Sequence, residues 1–226
     1  MNFDLSTVKA HSIFSNLNRS EIEHIFKDFE IKQFSKKSKI CKQGDSYEHI
    51  HFIINGFSKL YFENEKHNII LTLAAPGEFI GLLYMFSQEK YPYTVECLSK
   101  KDNLVLALKK KNFINVCMKN QKFLMELSAR GNQRAYDMVT ILLTMNRKHV
   151  RGRLAAILLY FADNVFKSTK FELPFTRLDI ANLANISNEN TVRLLSEFSS
   201  DKLINLNNKK VEILDRAKLE EIAMKG

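Results

Sequence analysis

Apolar and polar positions change period along this chain. From about Phe29 to Leu108, short runs rich in Ile, Phe, Val and Tyr alternate with turn signals. The turns are Gln43-Gly44-Asp45, Asn55-Gly56, Glu63-Asn64-Glu65, Ala75-Pro76-Gly77-Glu78 and Ser99–Asn103. Turns roughly ten residues apart predict an antiparallel sandwich or roll. Within Ile50–Phe62, a tight turn at Asn55-Gly56 separates two β-rich halves. Ahead of this region a short helix is expected. Ser20 would cap it, Glu21 and Glu23 would favour its N-terminal dipole, and Ile22, Ile25 and Phe26 would share one face.

Helical periodicity takes over after Leu108. Gln121–Lys148 holds no proline and a single glycine, Gly131. Leu127, Met138, Ile141 and Met145 fall on alternating three- and four-residue spacings, in a series that also passes through Gly131 and Arg134. A helix of about 28 residues is roughly 40 Å long, too long for one small β-roll to cover. The stripe is therefore expected to be a coiled-coil-like seam between two copies. The alternative is a long helix packed within its own subunit. Residues 151–166 resume a helix with Leu154, Ile157, Leu158 and Phe161 on one face, and Gly152 reads as a hinge. Ser168–Lys170 is a polar break, and Phe171–Pro174 reads as a short extended piece.

Two short helices follow. Thr176 can cap the first, with Asp179 three residues on as a near-match to a capping box. Ile180, Leu183 and Ala184 give it an apolar face. Asn185-Ile186 makes a tight connection, and Ser187 caps a second helix running from Asn188 to about Asp201. Its inner face is Thr191, Leu194, Leu195 and Phe198, and the pair matches a helix-turn-helix. Leu203–Leu206 and Val211–Leu214, flanking Asn207–Lys210, read as a β-hairpin, which makes the motif winged.

The second helix carries Asn188, Glu189, Asn190 and Arg193 on its polar edge near the N-terminal end, the end that enters a major groove. Arg can grip guanine bidentately, Asn can pair with adenine, and Glu can accept from cytosine N4. Arg177, together with backbone N–H groups at the helix starts capped by Thr176 and Ser187, is placed to hold phosphate, and Lys202, Lys209 and Lys210 could add backbone contacts. The alternative is a solvated polar face on an ordinary helical hairpin.

Composition narrows the partners less than pattern does. The net charge of +9 permits a polyanion, but residues 151–226 carry 12 basic against 10 acidic residues, so charge alone does not mark the reading part. The first thirty residues lack an apolar run fit for a signal peptide, and no stretch of about eighteen apolar residues occurs, so a cytoplasmic protein with no membrane partner is expected. Cys41, Cys97 and Cys117 are odd in number and far apart, without metal spacing. Buried or idle thiols are expected and no metal site. No GxSxG, Walker, GxGxxG or HExxH pattern is present, so an enzyme is not expected.

The chain resembles the Crp/Fnr family of bacterial regulators over nearly its whole length. The likeness rests on Gln43-Gly44-Asp45 with Ile53–Gly56, on Pro76–Gly81, on Val150–Ala155, and on Thr176-Arg177, Ile180-Ala181, Ser187, Glu189 and Arg193–Leu195 in order. The resemblance implies an α+β chain. An N-terminal antiparallel β-roll of the cyclic-nucleotide-binding type would span 1–120, a dimerisation helix 121–150, and a winged helix-turn-helix 151–226. It implies a homodimeric, sequence-specific transcription regulator that binds double-stranded DNA, with RNA polymerase a candidate partner. Glu189 and Arg193 take the base-reading roles, while Asn188 stands where the family often has a basic residue.

The same resemblance bears on the effector. Leu82 stands where cyclic-nucleotide binders carry a ribose-binding Glu, and Tyr91-Pro92-Tyr93 occupies the neighbourhood of their phosphate-binding Arg, with Lys90 the nearby cation. A buried phosphate without a cationic partner is costly, so cyclic AMP binding in the usual mode is not expected. The N-terminal cysteine cluster of the family's iron–sulfur sensors is lacking too. Haem on His49, His51, His67 or a cysteine is a further alternative. Phe79, Gly81, Leu82, Leu83, Tyr91 and Tyr93 could enclose a small apolar effector, or could be ordinary core. No cofactor is assigned and the effector is left open. The rival to DNA binding is a β-roll signalling module whose C-terminal helices bind a protein.

Overall fold

The computed structural model describes residues 11–65, 68–99, 103–147 and 149–225; His67 and the side chain of Met145 lie outside the described residues. The first helix, α1 (Arg19–Ile25), is capped by Asn18, with Ser20 inside it. Asn18 Oδ1 accepts from the Glu21 N–H at 3.0 Å and Glu21 Oε2 accepts from the Asn18 N–H at 2.8 Å. The cap moves two residues upstream of the expected serine because Asn18 has the extended backbone and the matching carboxylate three residues on.

Among the described residues eight strands follow: β1 (Glu30–Phe34), β2 (Lys39–Cys41), β3 (His49–Asn55), β4 (Ser58–Phe62), β5 (Ile69–Ala74), β6 (Phe79–Ile80), β7 (Thr94–Cys97) and β8 (Asn103–Lys109). They form two four-stranded sheets, ordered β1-β8-β3-β6 and β2-β7-β4-β5. Strand β8 pairs antiparallel with both β1 and β3. The strands flanking Asn55-Gly56 thus belong to different sheets, and the turn is a corner where a hairpin would keep them paired. Glycine is required there. Its φ is +90°, and an added Cβ would lie 2.5 Å from Asn103 Oδ1.

Phe14, Phe52, Phe79, Phe113 and Phe123 form the aromatic centre of the N-terminal unit, with Phe52 and Phe79 ring centroids 4.9 Å apart. Burying Phe14, Phe52, Phe113 and Phe123 contributes about 1.5–3 kcal/mol each, while Phe79 is half-buried. Helix α2 (Lys110–Lys119) ends at Asn120, whose extended backbone breaks the run. The Asn120 side chain then accepts from the Phe123 N–H at 3.0 Å and caps α3 (Gln121–Arg147).

Helix α3 carries two apolar stripes. The one expected as a dimer seam is turned inward: Leu127 is 1% and Ile141 6% exposed, and Met138 is half-buried. Along the same stripe a Cβ on Gly131 would touch Leu83 at 3.6 Å, and Arg134 is ion-paired to Glu78 of the Pro-Gly-Glu turn. The first half of that stripe therefore faces the chain's own β-roll. The second stripe, displaced by two residues, runs Met125, Ala129, Asn132, Tyr136, Val139 and Leu143 at the same alternating spacing, and all six are exposed.

The next helix, α4 (Val150–Tyr160), begins after His149, whose backbone is extended at φ −62° and ψ 159°. The joint between the two helices falls there. Gly152, expected as the hinge, lies buried inside α4. A π-helical turn, Phe161–Val165, continues it. Then come β9 (Lys170–Glu172), α5 (Arg177–Ala184), α6 (Asn188–Ser200), β10 (Ile204–Asn207), β11 (Lys210–Ile213) and α7 (Arg216–Lys225). The three strands make one sheet, ordered β10-β11-β9, so the expected hairpin gains a third strand from the extended piece near Phe171. Helix α7 is not foreseen by the apolar pattern. Arg216 anchors it through two bonds to Asp163, at 2.8 and 2.9 Å.

By contacts the chain divides into two compact units, residues 1–60 with 74–136 and residues 61–73 with 137–226. Among the described residues no helix is long and apolar enough to cross a membrane. All three cysteines are buried free thiols, and burial raises the pKa of each, Cys97 to about 11 and Cys117 to about 12.

Candidate nucleic-acid interface

Each helix of the C-terminal pair is started by its own side-chain cap. Thr176 and Asp179 close a full capping box, with Asp179 Oδ2 accepting from both the N–H and the hydroxyl of Thr176 at 2.9 and 2.8 Å. Asn185 ends α5 in the left-handed region at φ +51°, which asparagine tolerates, and Ser187 Oγ accepts from the Asn190 N–H at 3.1 Å to start α6. A three-residue connection thus joins α5 to α6.

Helix α6 is divided sharply by face. Thr191, Leu194, Leu195 and Phe198 are buried. Asn188, Glu189, Val192 and Arg193 are exposed, and Asn190 is half-exposed. The Glu189 carboxyl is held below the usual range by hydrogen bonds from its own backbone N–H and from the Ser187 hydroxyl, so it stays an acceptor. Arg193 is ion-paired to Glu197, and its Nη2 donates to Asn190 Oδ1 at 3.3 Å. Val192, which the polar pattern passes over, adds an exposed methyl pair on the same face.

The candidate phosphate-holding groups are less uniform. Lys202 and Lys210 are exposed, and Lys209 is half-exposed in the two-residue turn between β10 and β11. Arg177 is half-buried. Its Nη2 donates to the Asn208 carbonyl at 2.7 Å, tying the start of α5 to the tip of the wing. The Thr176 hydroxyl donates to Asp179, so only its end of the helix, not its side chain, presents donors.

In the β-roll the candidate effector residues are drawn into packing. Tyr47 donates to the Gly81 carbonyl at 2.6 Å, and Tyr91 donates to the His49 carbonyl at 2.6 Å. The two rings lie 4.6 Å apart, and Tyr91 and Tyr93 are buried. Phe79 belongs to the aromatic centre, Leu83 lies against Gly131, and Leu82 is half-buried. Lys110, unnoticed in the sequence, lays its ammonium 4.4 Å from the Tyr47 ring centroid and donates to the Gln88 carbonyl at 2.6 Å. Burial pushes the His51 pKa down to about 3. Among the described residues no cluster of three or more His, Cys, Asp or Glu is arranged for a metal.

Residues 152–222 match the Crp-like helix-turn-helix domain, and residues 31–120 match the cyclic nucleotide-binding domain. Similar proteins include the fumarate and nitrate reduction regulatory protein of Vibrio cholerae, 24% identical over 213 residues, covering 92% of this chain and 84% of that protein. The cAMP-activated global transcriptional regulator CRP of Escherichia coli is 25% identical over 187 residues, covering 81% of this chain and 89% of its own. Among solved structures, FixK2 from Bradyrhizobium japonicum shares the fold with a TM-score of 0.78 at 18% identity, over 86% of this chain and 96% of that one.

The chain belongs to the Crp/Fnr family of transcription regulators. Its similar proteins are regulators, not enzymes. In this Crp/Fnr regulator the β-roll over residues 31–120 keeps the frame of the cyclic nucleotide-binding domain. Leu82 offers no carboxylate, and Tyr91 turns its hydroxyl to a backbone carbonyl. A Cβ on Gly81 would meet the Tyr47 hydroxyl at 2.2 Å, which shows how closely that phenol is seated.

Proposed function

We propose that this regulator reads double-stranded DNA as a homodimer, with α6 in the major groove of each half-site. The observation that carries the reading is the division of α6. Its apolar side is fully used inside the fold, while Asn188, Glu189, Asn190, Val192 and Arg193 are presented together at the groove-entering end. Arg193 suits guanine O6 and N7, Glu189 the N4 of cytosine, and Val192 the methyl of thymine. Arg177, Ser187, Lys202, Lys209 and Lys210, with the backbone N–H groups after Thr176, would hold phosphates.

The seam of this proposal is the outward stripe of α3. Tyr136, Val139 and Leu143 are 67%, 51% and 50% exposed, an unusual run of apolar side chains for water on a helix of 27 residues. Two copies joined along it would place their reading helices about 34 Å apart on a near-palindromic site. Domain roles follow: a sensor over 1–120, the seam helix over 121–150 and the reader over 151–226. Cyclic AMP in the family's usual mode is not its effector, given Leu82 and Tyr91. Such a regulator works in the cytoplasm, beside the DNA, by touching RNA polymerase or excluding it.

The test is to select a preferred duplex from a random-sequence pool and measure affinity by fluorescence anisotropy. Arg193→Ala is expected to cost about 1–3 kcal/mol and relax preference at one base pair per half-site. Arg177→Ala is expected to weaken all duplexes alike and flatten the salt slope by about one. Equal loss of preference in both variants would defeat the assignment.

A further inference from the structure

We infer that Glu197 is a positioning residue for Arg193, and that Arg151 holds Glu197 in place for that task. The inference rests on the reading of Arg193 as a base-contacting residue. Glu197 lies one turn beyond Arg193 on α6 and takes one guanidinium on each oxygen: Oε1 accepts from Arg193 Nη1, and Oε2 accepts from Arg151 Nη1 at 3.0 Å. Arg151 comes from a different helix, in the first turn of α4. It is itself held twice, by Nη2 donating to Asp201 at 2.6 Å and by its guanidinium standing 5.0 Å from the ring centroid of the buried Phe198.

An exposed pair four residues apart on one helix orders a side chain weakly, because both partners are long and solvated. A carboxylate anchored from a second helix is stiffer. It gives Arg193 a defined partner at Nη1, while Asn190 Oδ1 meets Nη2 at 3.3 Å. The guanidinium is thus held at both ends of its fork. Arginine has five N–H groups, so three remain for the two acceptors of guanine. A fork ordered before binding loses less freedom on docking, and that gain goes to the base matching its geometry.

The experiment compares duplexes that differ only at the base pair read by Arg193, taking the affinity ratio as readout. The ratio is insensitive to the general strengthening caused by removing a negative charge near phosphates. Glu197→Gln is expected to narrow the ratio about three- to tenfold. Arg151→Ala should narrow it by a smaller factor, and the double variant no further than Glu197→Gln alone. In Glu197→Gln, preference at the pair read by Glu189, and the thermal midpoint, should stay where they are. An unchanged or widened ratio in Glu197→Gln overturns the inference, as does equal loss at the Glu189 pair. Arg193→Ala separates the two failures. If it leaves the ratio intact, base reading by Arg193 is wrong; if it abolishes the ratio while Glu197→Gln does not, only the positioning role is.

Discussion

The helix-turn-helix and the β-roll match two different domain models, and they treat their polar groups in opposite ways. On α6 the chemistry faces water: Glu189 and Arg193 are exposed. In the β-roll the polar groups near the expected effector place turn inward. Tyr47, Tyr91 and Tyr93 are buried, and the first two hydroxyls are satisfied by backbone carbonyls. The difference teaches that frame and ligand chemistry are separable. Apolar spacing and turn geometry hold the roll, so the polar groups inside it can change without disturbing the frame.

The comparison breaks most severely at the seam. Val139→Asp puts a charge between Tyr136 and Leu143 on the outward stripe of α3. It is expected to give monomers in sedimentation and to lower affinity for a palindromic duplex by about 10²-fold or more, through lost bivalency. The order of base preference should survive, since α6 is untouched. A variant that remains dimeric would move the interface elsewhere.

A smaller effect sharpens the contrast from the other side. Gly81→Ala asks a residue at φ +113° to accept a side chain whose Cβ meets the Tyr47 hydroxyl. It should cost about 1–3 kcal/mol in urea unfolding, from strain and displacement of that phenol, and leave base preference unchanged. Adding Tyr47→Phe should recover only part, because the ring carbon Cζ still lies 2.9 Å from the new Cβ.

At neutral pH the smallest expected effect is that of His51, which shows itself only as the solution is acidified. Burial lowers the His51 pKa from 6.5 to about 3, with smaller contributions from His49 and Lys32. The unfolded chain therefore binds a proton that the folded one refuses, and stability falls as pH drops from about 6.5 toward 3. His51→Phe should flatten that slope by up to about 1.4 kcal/mol per pH unit in denaturation titrations. An unaltered slope would assign the acid sensitivity to other groups.

Much of the reading half was legible in the chain. The caps Thr176 and Ser187, the tight connection at Asn185-Ile186 and the buried face of α6 all follow from local rules, since a capping side chain needs only a partner three residues away. The β-roll was legible as strands and turns but not as pairing. Asn55-Gly56 announces a turn in either case, and only the partners of β3 and β4 make it a corner between sheets. Val192, Glu197 and the role of Arg151 escaped because local spacing does not link them: Arg151 and Glu197 meet across 46 positions of chain.

By itself the sequence determined the period of the long elements other than α7 and the residue types offered to DNA, because both depend on neighbours within a turn. It could not choose between the two stripes of α3. Leu127 and Ile141 repeat with the same spacing as Tyr136, Val139 and Leu143, and a helix alone has no preference between faces two residues apart. Tertiary structure made the choice by covering Leu127 and pairing Arg134 with Glu78, leaving the other stripe in water. Burial is a relation between distant segments, and only their meeting can assign it.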